Sequence, residues 1–142
     1  MTKKISRIIA YELPGKWNVL VGATAADNDY LTTALADPED WWFHAEGVPG
    51  SHVILRAKPD AEPSKETLNQ AAALAAYHSK SRAAGTARVY CTRSRFVIKP
   101  RNAKPGTVNV SRGKVLKARP GNSFATRVAL EKIMPGDVVD QT

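Results

Sequence analysis

Residues 41–55 constrain the fold more than any other part of the chain. Three aromatic side chains and a histidine precede the turn sequence Gly-Val-Pro-Gly at 47–50, and a serine, a histidine and an apolar run follow it. Glycine permits positive φ and proline fixes φ at about −65°, so this turn follows one narrow backbone path. The pattern predicts two short strands, residues 42–45 and 52–57, joined by a tight turn that positions functional side chains.

The rest of the chain carries strand signals, most of them in pairs that suggest hairpins, and two helix signals, which together are typical of an α+β protein. Residues 5–13 and 17–21 are predicted to form a hairpin. Residues 108–110 and 115–118 are predicted to form another. Residues 88–98 are predicted to form a strand with one buried side and one polar, largely basic side, the latter carrying Arg88, Tyr90, Arg93 and Arg95.

Two helices are predicted with the sheet. Asp29 is the expected N-cap of a short helix over 30–36, and Ser64 is the expected N-cap of an alanine-rich helix from Thr67 to about Ser81. We therefore predict a single α+β domain over residues 1–142, with a curved, largely antiparallel sheet packed by one long Ala-rich helix and a shorter helix. Residues 121–142 are interpreted as a C-terminal extension that contains one short element within 125–134.

Charge is distributed unevenly along the chain, whose formal net charge is +8. Residues 67–130 contain no Asp or Glu but thirteen Lys and Arg side chains. Such a segment generates a strong positive potential on the face that carries it, whereas a surface needed for solubility alone would mix both signs. The asymmetry predicts a polyanion-binding surface.

Four motifs, in the same order along the chain, resemble the signature of the NFACT RNA-binding domain (NFACT-R) family. They are ND-x-LT at 28–32, WFHA with PGSHVIL across 42–55, AAYHSK at 75–80 and KP-x-x-AKPG-x-V at 99–108. The sequence thus resembles a module of the large family members. In those proteins the module, together with other domains, binds the obstructed large ribosomal subunit and tRNA in ribosome-associated quality control.

The resemblance implies an RNA-binding module that acts in translation and needs no cofactor. Its implied partners are tRNA or ribosomal RNA, with the large ribosomal subunit as a further candidate. The large members carry additional domains that this sequence lacks, so we interpret the chain as a stand-alone form and do not expect it to synthesise peptide tails.

Two groups of residues are predicted to contact RNA. Those of the basic strand and loop are Arg93, Arg95, Lys99, Arg101 and Lys104, for which the alternative is a solvated strand edge. The planar fork of arginine suits phosphate and stacks on bases, so Arg93 and Arg95 are the expected specific contacts. Those beside the aromatic turn and the long helix are Trp41, His44, Ser51, His52, Lys80 and Arg82.

The residues beside the turn also have structural interpretations. Trp41 is equally well explained by core packing, because alternation along a strand buries part of the aromatic run. His44 and His52 are compatible with structural histidines, and Ser51 with a turn serine. In the functional interpretation, the histidines donate to a phosphate or a 2′-hydroxyl, and an exposed aromatic ring stacks on a base.

Patterns for catalysis and metal binding are weak. His44-x-Glu46 resembles the start of a zinc-deaminase signature, but the paired cysteines that complete it are missing, since Cys91 is the only cysteine. Ser51 and His52 are adjacent in an extended segment, so their side chains diverge and cannot act as a nucleophile and its base. We expect no enzyme activity and no metal site, with a metal-dependent hydrolase as the weakest alternative.

The remaining alternatives concern partner and location. No apolar run approaches the about 20 residues of a membrane span, and no signal-peptide core follows the basic N-terminus, so a cytoplasmic protein without membrane contact is expected. The main alternative function is a protein-interaction adaptor whose basic face binds an acidic partner. The sequence leaves the oligomeric state open.

Overall fold

In the computed structural model, which describes residues 8–133, nine strands form a seven-stranded sheet and a separate two-stranded sheet. The strands are β1 (Ile8–Leu13), β2 (Trp17–Gly22), β3 (Trp41–Ala45), β4 (Val53–Leu55), β5 (Ala87–Arg93), β6 (Val97–Ile98), β7 (Asn109–Val110), β8 (Lys114–Ala118) and β9 (Thr126–Val128). The helices are α1 (Ala25–Tyr30), α2 (Lys65–Tyr77) and α3 (Leu130–Ile133). The sheet order is β8-β5-β3-β4-β2-β1-β9 with antiparallel neighbours, as the predicted class requires.

Both faces of the central strands β2, β3 and β4 are buried, each under its own apolar cluster. Phe43 and Val89 pack with α2 in the first cluster, whereas Trp42, Ile54 and Leu31 belong to the second. Consecutive residues of a strand point to opposite faces, so adjacent aromatic side chains are buried on different sides. This explains why β4 is a continuous apolar run rather than an alternating one.

The first and last described strands lie side by side. The predicted first hairpin is confirmed by the pairing of β1 with β2, and β9 pairs with the other side of β1. Residues 126–128 of the predicted C-terminal extension therefore belong to the sheet. Residues 5–7 of the predicted first strand, like the rest of residues 1–7 and residues 134–142, lie outside the described part.

Helix α2 lies against the first face of the sheet. Ser64 is its N-cap, as predicted, because its side chain accepts a hydrogen bond from the Thr67 amide (3.1 Å). Residues 71–76 are all buried, and five of these six are alanines. Their short side chains let the helix backbone approach the sheet closely.

The end of α2 differs from the prediction. The helix stops at Tyr77 rather than near Ser81, because His78 has φ −94° and ψ 40° and the next residues pair with the 49–51 turn. Lys80 and Arg82 therefore lie beyond the helix, where the Lys80 amide bonds to the Pro49 carbonyl and the Arg82 amide bonds to the nearby Ser79 carbonyl.

The first helix starts earlier than predicted and has a different cap. Thr24 and Asp27 exchange hydrogen bonds in a capping box at the start of α1. The predicted cap, Asp29, lies within the helix. The chain then continues through a π-helical turn over Leu31–Leu35.

Two further predictions, both in the basic half, are wrong. A short 3-10 turn over Ser94–Phe96 interrupts the predicted strand 88–98. The predicted hairpin of residues 108–110 and 115–118 does not form, because β7 pairs with β6 in a separate two-stranded sheet and β8 pairs with β5. Gly113 has no side chain and lies against the backbone of β5, which brings β8 alongside that strand.

Candidate nucleic-acid interface

A cleft of about 530 Å³ opens where the 49–51 turn meets the chain just beyond α2. Three of the predicted RNA-binding residues line it: Ser51, Lys80 and Arg82. We call it the basic cleft. Two of the four sequence motifs, distant along the chain, therefore meet in one place.

Backbone contacts join the two walls of the basic cleft. The amide of Ser51 donates to the carbonyl of His78, and the amide of Lys80 donates to the carbonyl of Pro49, both at 2.9 Å. A β-bridge between these two hydrogen bonds makes the junction a short ladder. Main-chain hydrogen bonds, rather than side-chain packing, thus fix the position of Lys80 relative to Ser51.

Gly50→Ala is expected to destabilise the domain by about 1–3 kcal/mol, because a Cβ at this position would lie 2.7 Å from the Cβ of Ser79 and 3.3 Å from the carbonyl oxygen of His78. Urea denaturation followed by circular dichroism measures the change. Gly85→Ala is the control, since nothing lies within 4 Å of its added Cβ, and its effect should stay within about 0.5 kcal/mol. Equal losses in the two variants would contradict the close contact.

No carboxylate of the described residues neutralises the two cations of the basic cleft. Lys80 is exposed, and within residues 8–133 neither it nor Arg82 forms an ion pair. The Arg82 guanidinium lies 3.9 Å from the centroid of the Tyr77 ring, and its Nε donates to the Tyr77 carbonyl (2.7 Å). Sequence reasoning missed Tyr77, although it stands in the AAYHSK motif.

His78 belongs to the wall of the basic cleft. Its Nε2 is hydrogen-bonded to the hydroxyl of Tyr11 (2.9 Å). Burial, followed by the charges of Arg82 and Arg127, lowers the pKa of His78 to about 4. The imidazole is therefore neutral at physiological pH, and it shapes the cleft without adding charge.

His52 lies inside a chain of hydrogen bonds beneath the turn. The indole Nε1 of Trp42 donates to the Thr32 hydroxyl (3.1 Å). Because the Gly106 carbonyl can only accept, the proton of the neutral His52 ring is on Nε2, and the Thr32 hydroxyl donates to Nδ1 (2.7 Å). His52 Nε2 then donates to the Gly106 carbonyl (3.2 Å). Burial lowers the pKa of His52 to about 4. Only 2 % of the residue is exposed and both ring nitrogens are engaged, which is the geometry of a structural histidine.

His44 lies on the opposite side of the turn from the basic cleft. Its half-buried ring stacks on Trp42 (centroids 6.0 Å apart, 14° between planes) and meets His52 edge-on at 5.7 Å. Burial lowers the pKa of His44, so this ring is neutral as well.

Arg93 and Arg95, the expected specific contacts, are held in ion pairs. Arg93 pairs with Glu62 (3.0 Å) and Glu39 (3.6 Å), and Arg95 pairs with Glu39 (2.6 Å). The Arg93 guanidinium also stacks on Trp41, 3.9 Å from the ring centroid. The basic segment is therefore free of acids only along the chain, because three glutamates from the first half, Glu39, Glu62 and the Arg88 partner Glu46, lie beside its arginines.

Strand parity explains the position of Arg93. It shares a face of β5 with Val89 and Cys91, which pack towards α2, whereas Arg88 and Tyr90 point to the other face. The predicted grouping of Arg93 with Arg88 and Tyr90 is wrong for this reason.

Glu39→Gln is expected to raise RNA affinity about threefold, because it frees Arg95 from its carboxylate and removes one of the two carboxylates that pair with Arg93. Fluorescence anisotropy with a labelled RNA measures the change. Asp60→Asn removes the same charge from an exposed residue without an ion pair among the described residues, and it controls for the net-charge effect. If both variants gain equally, Arg93 and Arg95 are not RNA contacts.

The basic loop over residues 99–106 is anchored by its first lysine. Lys99 pairs with Asp29 (3.1 Å) and donates to the carbonyl of Lys104, and Asp29 also accepts the Gly106 amide (2.9 Å). Arg101 and Lys104 are exposed, and their side chains form no hydrogen bond or ion pair within the described part of the chain. The loop thus presents two unpaired cations on a fixed backbone.

Residues 8–133 contain neither a cluster of metal ligands nor a helix that could span a membrane. No group of three or more His, Cys, Asp or Glu side chains is placed to hold a metal ion. Burial raises the pKa of Cys91 to about 12, so its thiol stays protonated. Among these residues, no helix combines the length and apolarity that crossing a membrane requires.

Comparison with known proteins shows which family the chain resembles. The family model described as the NFACT protein RNA binding domain matches residues 9–112. The chain is 42 % identical over 98 residues to the "Rqc2 homolog RqcH" of Bacillus subtilis (strain 168), and 40 % identical over 106 residues to that of Streptococcus suis (strain 05ZYH33). These alignments cover 69 % and 75 % of this chain but 17 % and 19 % of the relatives, so the chain spans less than a fifth of their length.

A solved structure gives the same result. The C-terminal part of the fibronectin/fibrinogen-binding protein from Streptococcus suis is similar to this chain with a TM-score of 0.78 and 33 % identity. The match covers 86 % of this chain and 49 % of that one. The predicted resemblance is confirmed: the chain belongs to the NFACT RNA-binding domain family.

Proposed function

We propose that this domain is an RNA-binding module and that the basic cleft is its principal contact surface. The observation that carries the proposal is the meeting of Ser51, Lys80 and Arg82 in one cleft, with two cations that no carboxylate of residues 8–133 neutralises. Membership of a family defined by RNA binding supports it.

The chemistry of the basic cleft suits a phosphodiester backbone. Lys80 supplies a mobile ammonium group, whereas Tyr77 holds the guanidinium of Arg82 in one orientation and so reduces the entropy lost on binding. The hydroxyl of Ser51 offers a neutral donor to a phosphate oxygen or a 2′-hydroxyl. Arg101 and Lys104, in the separate basic loop, are proposed as further phosphate contacts.

We further propose tRNA or ribosomal RNA as the ligand, the large ribosomal subunit as the larger partner and ribosome-associated quality control as the setting. The names of the Rqc2 homologs, which this chain matches over a small part of their length, support this assignment. In this proposal the domain acts by binding and not by catalysis.

A filter-binding salt titration with tRNA and ribosomal RNA fragments tests the proposal. Affinity should fall steeply between about 50 and 200 mM salt, with a log–log slope of roughly −0.7 to −0.9 for each phosphate contact. Duplex DNA of the same length should bind more weakly, because it lacks the 2′-hydroxyls and unpaired bases. A flat slope would overturn the electrostatic mechanism.

One observation favours a second candidate function. Arg93 and Arg95 already hold the carboxylates of Glu39 and Glu62, and an acidic protein segment would offer them the same groups. Capture of partners from lysate with and without nuclease separates the two functions. Partners that remain after nuclease treatment and are lost in Arg93→Ala/Arg95→Ala would support an adaptor.

A further inference from the structure

A second cavity, of about 250 Å³, lies on the far side of the 46–51 segment from the basic cleft. Four rings of the described residues line it, together with the Glu46 carboxylate and Val110 of β7. His44 and Tyr90 are partly exposed, whereas Trp42 and His52 are almost fully buried. We call this cavity the aromatic pocket. The aromatic pocket is separate from both the basic cleft and the ion pairs of Arg93 and Arg95.

The aromatic pocket is held open by contacts that do not depend on a ligand. His52 Nε2 donates to the Gly106 carbonyl (3.2 Å), and the Gly106 amide donates to Asp29 (2.9 Å). On another side, the Tyr90 hydroxyl accepts the Gly113 amide (2.9 Å), which fixes its ring. The wall is therefore preorganised, which lowers the entropy lost when a flat ligand enters.

The charge of the aromatic pocket disfavours a phosphate. Its carboxylate, Glu46, is already paired with Arg88 (2.7 Å), and both of its imidazoles are held neutral by burial. No unpaired cation is among the described residues that line it. The partly exposed rings of His44 and Tyr90, beside the Glu46 carboxylate, suit a neutral heteroaromatic ring that carries N–H donors, which is the chemistry of a nucleobase.

The aromatic pocket and the basic cleft are lined by different residues of the same segment, 46–52. Gly50 and Ser51 line the basic cleft, whereas Glu46, Gly47 and His52 line the aromatic pocket. A single RNA strand that crosses this segment would meet cations on one side and rings on the other.

We propose that the aromatic pocket binds one unstacked nucleobase of the RNA strand whose phosphates lie in the basic cleft. This inference rests on the proposed RNA-binding function. It adds a contact to the base itself, so the domain distinguishes RNA with an unpaired nucleotide from a fully paired duplex.

Two probes test the inference by fluorescence anisotropy: a labelled single-stranded RNA, and an abasic oligonucleotide of equal length and phosphate number. The wild-type protein should bind the RNA about tenfold more tightly, with similar salt slopes for the two probes. Val110→Trp, which fills the pocket from a partly exposed position, should remove this preference. Equal affinity of the wild-type protein for both probes would overturn the inference.

Ile98→Trp is the matched control. Ile98 is 59 % exposed, lies on the neighbouring strand of the same two-stranded sheet and does not line the pocket. The Ile98→Trp variant should keep the tenfold preference for the RNA over the abasic probe. If both tryptophan variants lose this preference, the base contact is not in the aromatic pocket. Lys80→Ala/Arg82→Ala should weaken both probes equally. If that variant weakens neither probe, the phosphate site fails, whereas the preference for bases still reports on the pocket.

Discussion

Replacing Lys80 and Arg82 together by alanine is expected to weaken RNA binding about a hundredfold at low salt. Hydrogen bonds to charged groups contribute about 1.5–3 kcal/mol each, and some of the lost charge is compensated by neighbouring cations. Because two phosphate contacts disappear, the log–log salt slope should become shallower by roughly 1.5. Filter binding at several salt concentrations measures both quantities.

The control for this variant removes two cations at the far ends of the elements that form the basic cleft. Lys65 is the first residue of α2, about 20 Å along the helix from the cleft. Lys16 lies in the turn between β1 and β2, whereas the cleft is lined by Ile9 and Ala23 at the other end of that hairpin. Lys16→Gln/Lys65→Ala should retain most of the affinity. Equal losses in the two double variants would reduce binding to net charge alone.

Acidification is expected to destabilise the domain, with a loss of about 2 kcal/mol from His52 alone between pH 7.5 and pH 5. Burial lowers the pKa of His52 to about 4, so the unfolded chain binds more protons than the folded one below about pH 6.5. Its contribution is therefore fully present above that pH and decreases as the pH falls towards 4. His78, whose pKa is also lowered to about 4, acts in the same direction.

Urea denaturation at the two pH values measures this loss. His52→Gln keeps a donor for the Gly106 carbonyl but does not titrate, so its stability should depend less on pH, whatever its stability at pH 7.5. Asp40 opposes the histidines at lower pH, because burial raises its pKa. Stability that stays constant or rises between pH 7.5 and pH 5 would contradict the neutral, buried state of His52.

Local sequence signals predicted the elements whose causes are local. The hairpin of β1 and β2 and the cap at Ser64 depend on neighbouring residues, and both are present in the structure. The end of α2 was missed because it depends on a backbone ladder to residues 49–51, far away along the chain. The pairing of β7 with β6, instead of with β8 as predicted, was missed for the same reason, since tertiary contacts decide which strands pair.

The candidate site shows the same division. The motif order pointed to Ser51 and Lys80 separately, but only the fold places them in one cleft. The charge count along the chain correctly identified a basic half, yet it gave no sign that Glu39 and Glu62 lie beside Arg93. A charge count along the chain therefore does not show which cations are free.

The pairing of β9 with β1 has a consequence for synthesis on the ribosome. β1 can pair with β2 as soon as the next few residues have been synthesised. The other edge of β1 stays unpaired until residues 126–128 have been synthesised and have left the ribosome. At about 5–20 residues per second, that interval lasts roughly 6–25 s. During this time the nascent chain exposes unpaired backbone groups and the apolar side chains that β9 and α3 later cover, so the folding of this domain is completed late in its own translation.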